Sequence, residues 1–174
     1  MEQEEIDIII IRGAPGSGKS QTAKGLAQFF PKGVRMEVDT IRQMVISVDW
    51  KNQAEHINIL GLSAKMAHEF LVLGFKPIIV VDTFSGDKVL KYLQDLLQLN
   101  KELVIKIFGL YVTEDELKKR LEKRIDGEFK DLKICLRLNR DVLKFKYENE
   151  FQINTTGLLP NDSAKIIFNT LFER

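Results

Sequence analysis

Gly13-Ala14-Pro15-Gly16-Ser17-Gly18-Lys19-Ser20 is a complete G-x-x-x-x-G-K-[ST] phosphate loop, and its flanks fit it on both sides. Upstream, Ile6 to Ile11 (I-D-I-I-I-I) is a short, β-branched, nearly all-apolar run of the kind a buried parallel strand requires. Downstream, Ala23, Leu26, Ala27 and Phe30 recur at helical spacing. Strand, glycine loop and helix therefore arrive in the required order. Glycines let backbone N–H groups turn inward around phosphate oxygens, and the helix N-terminus adds partial positive charge. Gly13, Ala14, Pro15, Gly16, Ser17 and Gly18 are the expected cradle. Lys19 is expected at the β- and γ-phosphates, and the Ser20 hydroxyl on Mg²⁺. The sequence predicts a nucleoside-triphosphate site.

Strands and helices alternate along the rest of the chain, the pattern of a parallel α/β sheet. Pro31-Lys32-Gly33 breaks the first helix, and Val34 to Val38 reads as a second strand. A helix over 54–73 carries one apolar stripe (Ile57, Leu60, Ala64, Ala67, Leu71) and stops at Gly74. Pro77 to Val81 is the third strand, closing on Asp82-Thr83, and Asp87 caps a helix packed by Val89, Leu90, Leu93, Leu96 and Leu97. A fourth strand covers about Leu103 to Tyr111. Thr113 and Glu116 form a capping box for a helix over 114–124. Residues 125–148 are polar with one helix inside, Phe151 to Asn154 is a last short strand, and a terminal helix starts near Pro160.

Three constellations carry chemistry. Ile78-Ile79-Val80-Val81-Asp82 is an apolar strand ending in Asp, the Walker B arrangement, which assigns Asp82 to Mg²⁺. Asp39 and Arg42 form a D-x-x-R at a strand end. Such a carboxylate accepts a proton from a hydroxyl nucleophile, while the guanidinium grips an acidic group on the substrate. Glu37 points the same way as Asp39 if the strand alternates, so it is the rival base. Arg120 and Arg124 lie at i, i+4 on one helix, suited to the charge spread over transferring phosphate oxygens; Arg137 and Arg140 are a weaker second pair.

Composition excludes other classes. The 174 residues suffice for one domain with a real core, here the span 1–174 with a lid region about 114–148. A formal charge of +1 gives no global field for nucleic acid or membrane. Charge is uneven, however. The start is acidic (Glu2, Glu4, Glu5, Asp7), whereas 117–146 holds eleven Lys or Arg against five Asp or Glu. Cys135 stands alone, so no disulfide partner is expected and the chain suits a reducing, cytoplasmic compartment. An acidic start running straight into the first strand gives no expectation of a signal peptide, and no apolar run approaches the ~20 residues of a membrane span. His56 and His68 lack a Cys or His partner at ligand spacing, so no zinc site is expected.

Four stretches together resemble the P-loop kinases, and within them the 5′-kinase domain of bacteriophage polynucleotide kinase and its small ATP-dependent relatives. They are G-A-P-G-S-G-K-S (13–20), V-D-T-I-R-Q (38–43), I-I-V-V-D-T (78–83) and E-L-K-K-R-L-E-K-R (116–124), in family order. The ending N-T-T-G-L-L-P (154–160) is similar to the closing strand and turn of antibiotic and toxin kinases of that class. The resemblance implies a five-stranded parallel sheet of order 2-3-1-4-5 with helices on both faces and a lid. It also implies Asp39 as base, Arg42 as substrate anchor, Arg124 as lid arginine and Arg120 by the nucleotide base. The segment after Arg124 departs from the pattern of the polynucleotide kinases, and no phosphatase domain is expected.

The expected activity is transfer of the ATP γ-phosphate to a hydroxyl, with Mg²⁺ as cofactor. The acceptor is a nucleic-acid 5′ end, a nucleotide or another small molecule. The alternative is a P-loop ATPase or nucleotide-dependent switch acting on a protein partner. Against it, Asn100-Lys101 is followed by Glu102-Leu103, which is no N-K-x-D guanine motif, and there is no L-S-G-G-Q.

Overall fold

The computed structural model describes residues 5–172; Glu2 and Glu4 of the acidic start lie outside them. The first strand, β1 (Ile8–Gly13), runs into the phosphate loop, and α1 (Lys19–Ala27) leaves it. Next come β2 (Val34–Glu37), the short α2 (Val38–Arg42) and the long α3 (Gln53–Val72). Then β3 (Ile78–Asp82), α4 (Lys88–Leu99) and β4 (Ile105–Tyr111) follow. The chain finishes with α5 (Glu114–Glu122), α6 (Leu132–Lys144), β5 (Glu150–Asn154) and α7 (Pro160–Phe172).

All five strands are parallel, in the order β2-β3-β1-β4-β5. That is the expected topology. β1 sits at the centre, with Ile8 level with Ile78 on one side and Ile105 on the other. Its isoleucines alternate between two cores. Ile8 and Ile10 join Val80, Leu60, Ala64, Tyr92 and Leu96 beneath α3 and α4. Ile9 and Ile11 join Val81, Phe108, Leu26 and Ile167 beneath α1 and α7. Burial on both faces is why this strand reads as an unbroken apolar run. No helix among the described residues is long and apolar enough to cross a membrane.

The element bounds differ from expectation by a residue or two, with two consequential cases. The helix α5 stops at Glu122, so Arg124 lies past it and does not share a helical face with Arg120. β2 ends at Glu37, and Val38 opens α2, so Asp39 stands on a first helical turn rather than at the end of a strand. Strand alternation thus does not relate Glu37 to Asp39. β1, β2 and β3 end at Gly13, Glu37 and Asp82 on the same edge of the sheet, the carboxyl edge where α/β sheets open their ligand crevice.

One charged pair sits inside the sheet. Arg12 is 3% exposed and donates from Nε to Oε1 of Glu150, itself 4% exposed, at 2.8 Å. Its NH2 also reaches the carbonyls of Phe145 (2.5 Å) and Val142 (3.3 Å), and the Tyr147 ring lies 4.9 Å away. Glu150 further accepts the Tyr147 N–H at 2.8 Å. Gly109 makes room for this pair, because a Cβ there would stand 2.2 Å from Oε1 of Glu150.

Candidate active site

The phosphate loop is built around two left-handed glycines, Gly16 at φ 89° and Gly18 at φ 87°. Side chains rarely adopt that backbone, and at Gly16 a Cβ would also press on Leu117 at 2.8 Å. Among the described residues, the N–H groups of Gly16, Gly18, Lys19 and Ser20 make no internal hydrogen bond. They form a concave set of donors at the start of α1, which fits a polyphosphate. Lys19 reaches only the Ala14 carbonyl, at 3.5 Å. Desolvation pulls its pKa below the usual lysine value; Asp82 and Asp39 oppose that pull, and Arg124 adds to it.

Ser20 donates from Oγ to Oε2 of Glu37 at 2.9 Å, while Oε1 of Glu37 accepts from Arg35 at 2.7 Å. Ser20, Asp82 and the nearby Glu37 are the oxygen donors that suit Mg²⁺, which takes one or two protein ligands and fills its shell with phosphates and water. No cluster of three or more His, Cys, Asp or Glu forms an all-protein metal cage among the described residues.

Asp39 is exposed at the crevice mouth, yet its pKa is raised. Removal from water by the crevice walls is the largest cause, the Asp82 carboxylate adds to it, and Lys19 opposes it. Arg42 stands differently from a free substrate anchor. It is 3% exposed, and its Nε meets Oε1 of Glu55 at 3.1 Å. Its NH2 donates to the carbonyls of Asp49 (2.6 Å) and Asn52 (3.1 Å), and its guanidinium lies 5.0 Å from the centre of the Trp50 ring. The loop between α2 and α3 is closed on this side chain.

Asp82 is 4% exposed at the end of β3. Its Oδ2 accepts the Phe84 N–H at 2.9 Å, and its Oδ1 lies 3.2 Å from Nε2 of His56. The other ring nitrogen of His56 is 3.1 Å from Nζ of Lys88, which also bonds Oε1 of Gln53 (2.6 Å) and Oγ of Ser85 (3.3 Å). Burial lowers the pKa of Lys88, and Asp82 opposes the shift.

On the opposite side of the loop, a groove of about 390 Å³ opens between the glycines, α5 and the turn after β5. Arg120 lines it but is firmly held. It donates to the carbonyls of Gly16 (3.5 Å) and Ser17 (3.4 Å), to Oε1 of Glu116 (2.8 Å) and to the carbonyl of Thr155 (2.8 Å). Buried Thr155 itself donates from Oγ1 to the Ser17 carbonyl at 2.9 Å. Arg124 lines the same groove and donates to the Phe129 carbonyl at 3.0 Å. Arg140 lies apart, paired at the surface with Glu114 at 2.5 Å.

The family described as AAA domain matches residues 8–136, from β1 into α6. The chain belongs to that family. Solved structures share its fold. The tunicamycin resistance protein of Deinococcus radiodurans is 21% identical to this AAA-domain chain, with a TM-score of 0.72 and 96% of each chain covered. The APS kinase of Mycobacterium tuberculosis, solved with AMPPNP and APS, is 11% identical, with a TM-score of 0.67 over 98% of this chain and 99% of that one. A chain of the Pnkp1/Rnl/Hen1 RNA repair complex is 22% identical with a TM-score of 0.64; 83% of this chain and 48% of that one are covered. At these identities the likeness establishes the P-loop kinase fold. No curated protein matches the chain in sequence.

In this AAA-domain chain Lys19, Asp39 and Asp82 act on one another electrostatically across a single crevice, and Arg124 reaches the same field. Sequence reasoning missed His56, Lys88 and Thr155. His56 had a readable signal: it shares the buried face of α3 with Leu60, Ser63, Ala64 and Ala67. A polar ring on such a face requires a partner. Lys88 and Thr155 gave no such signal, because their partners come from distant parts of the chain.

Proposed function

We propose that the protein is an ATP- and magnesium-dependent kinase that moves the γ-phosphate to a hydroxyl acceptor. The observation that carries this reading is the placement of Asp39. It is a carboxylate with a raised pKa, open to the crevice, in the field of Lys19 and Asp82 and beside the N–H donors of the loop.

Each group has a task in this reading. The loop amides and Lys19 hold the β- and γ-phosphates, and Lys19 leaves its weak contact with Ala14 to do so. Ser20 and Asp82 hold Mg²⁺, with Glu37 placed to act through Ser20 or a bound water. When bound, the ion neutralises charge on the phosphate oxygens. Asp39 takes the acceptor's proton as the oxygen attacks. Arg124, on the lid formed by α5, α6 and the turn between them, comes over the transferring group, and Arg120 braces the loop next to the nucleotide base. The D-x-x-R arginine, Arg42, shapes the acceptor loop from within.

The test is transfer from labelled ATP to a panel of 5′-hydroxyl oligonucleotides, nucleosides and small alcohols of the aminoglycoside and phenicol type. A labelled product, with ATP turnover rising when its acceptor is present, supports the reading. Steady ATP hydrolysis indifferent to every acceptor counts against it and favours an ATPase or switch.

A further inference from the structure

We propose that His56, held by Lys88, is the positioning residue for the Asp82 carboxylate and so sets the affinity of the magnesium site. This rests on the reading of Asp82 as a magnesium ligand. The argument starts from Lys88. An ammonium carries three protons and no acceptor. Three acceptors surround it: Oε1 of Gln53 at 2.6 Å, Nδ1 of His56 at 3.1 Å and Oγ of Ser85 at 3.3 Å. With Lys88 donating, Nδ1 of His56 is the acceptor, the tautomer that carries its N–H on Nε2. That nitrogen faces Oδ1 of Asp82 at 3.2 Å, so in this arrangement Nε2–H donates to the carboxylate.

The second oxygen is tethered too, by the Phe84 N–H at 2.9 Å. A carboxylate at a strand end otherwise swings broadly about its last torsion. Here one donor on each oxygen fixes its plane and leaves the remaining lone pairs directed away from both tethers. His56 and Lys88 are each 8% exposed, so these bonds lie largely out of water, where they are strong. The parts come from three separate places: Gln53 and His56 from the first turn of α3, Ser85 from the turn after β3, and Lys88 from the start of α4. Such a chain orients a metal ligand as an outer-shell partner does, and losing one of these commonly costs 10- to 100-fold in metal affinity.

The experiment titrates Mn²⁺ into the full-length protein loaded with a non-hydrolysable ATP analogue, following bound ion by electron paramagnetic resonance. His56→Ala should weaken Mn²⁺ binding by roughly 10- to 100-fold, leaving analogue affinity without metal near wild type. His56→Gln, whose amide N–H takes the place of Nε2–H, should recover most of the loss. Lys88→Met should lie between, since it frees the ring to take the other tautomer. If His56→Ala fails to fold, the comparison of His56→Gln and Lys88→Met with wild type decides. Unchanged Mn²⁺ affinity in His56→Ala overturns the proposal; so does a His56→Gln no better than alanine, or a Lys88→Met equal to wild type. A Mn²⁺ defect in a protein that phosphorylates no acceptor upholds this inference and sinks the kinase reading; phosphate transfer without the defect does the reverse.

Discussion

The Ser20 hydroxyl and the Glu37 carboxylate are joined at 2.9 Å, linking the first turn of α1 to the last residue of β2. On the proposed reading, that bond holds Glu37 beside the magnesium ligand Ser20 and separates it in role from Asp39. Glu37→Gln should raise the Mg²⁺ concentration for half-maximal activity several-fold and leave saturated turnover near wild type. Asp39→Asn should cut transfer by about 10²–10⁴ at every Mg²⁺ concentration, with ATP binding intact. Were Glu37→Gln to lose transfer while Asp39→Asn kept it, the base would be Glu37.

Asp39 also predicts a pH signature. Its folded pKa is raised, so the acidic limb of kcat/KM should lie above the ordinary carboxylate value of 3.8 and disappear in Asp39→Asn. Stability follows with the opposite sense from a salt-bridged Asp. The folded state binds the proton more tightly than the unfolded one, so this residue's contribution falls as pH rises from 3.8 through the raised pKa. At neutral pH, Asp39→Asn should melt above wild type. Equal melting temperatures in calorimetry at pH 4 and pH 7 for both proteins would contradict the assignment.

Lys19 is the complementary case. Its folded pKa is lowered, chiefly by burial, so the fold carries a buried cation that unfolding would relieve; that cost is present at neutral pH and fades as pH rises toward 10.5. Lys19→Met should therefore lose nearly all turnover without losing melting temperature. A thermal scan paired with the transfer assay separates this from simple misfolding.

Arg42→Ala should behave as a structural lesion in the acceptor loop. It removes the partner of Glu55 and uncaps the carbonyls of Asp49 and Asn52, a loss of roughly 2–3 kcal/mol in urea unfolding. Acceptor KM should rise because the loop loosens, whatever the acceptor's charge. A stable Arg42→Ala protein defective only toward anionic acceptors would restore Arg42 as a direct anchor.

Arg120 on α5 and Arg124, two residues past its end, should separate cleanly. Arg120→Ala removes the guanidinium bridge between the phosphate loop and Thr155, leaving only the Thr155 hydroxyl on Ser17, so ATP affinity and stability should fall together. Arg124→Ala should lower kcat by 10-fold or more with ATP affinity within about twofold, a smaller effect than the 10³–10⁵ of a full arginine finger. Equal losses of ATP affinity in both variants would assign them one task.

The fold was legible because its signals are local. The glycine spacing, the isoleucine run and the Thr113 N-cap each lie within one short window, and the structure places them as expected. Only half of the capping box forms: Thr113 Oγ1 accepts the Glu116 N–H at 3.4 Å, but the Thr113 N–H goes to Thr156 Oγ1 instead. The positions of Lys19 and Ser20 at the start of α1 and of Asp82 at the end of β3 were legible for the same reason. Arg42 was legible as a position but not as an environment, since its partners lie 7 to 13 residues on. The Lys88–His56–Asp82 chain was beyond reach, because it exists only once α3, α4 and β3 have packed.

Arg12 carries a last consequence, for synthesis on the ribosome. It immediately precedes the phosphate loop, yet its carboxylate partner arrives 138 residues later. Until β5 emerges and docks on β4, the guanidinium lacks that partner at a position destined for the interior, a costly state for a buried charge. The nascent chain thus holds a complete nucleotide motif early but closes the sheet beside it late. Its first strand and its last are committed together, so β5 acts as the latch on a binding loop whose letters were translated at the beginning.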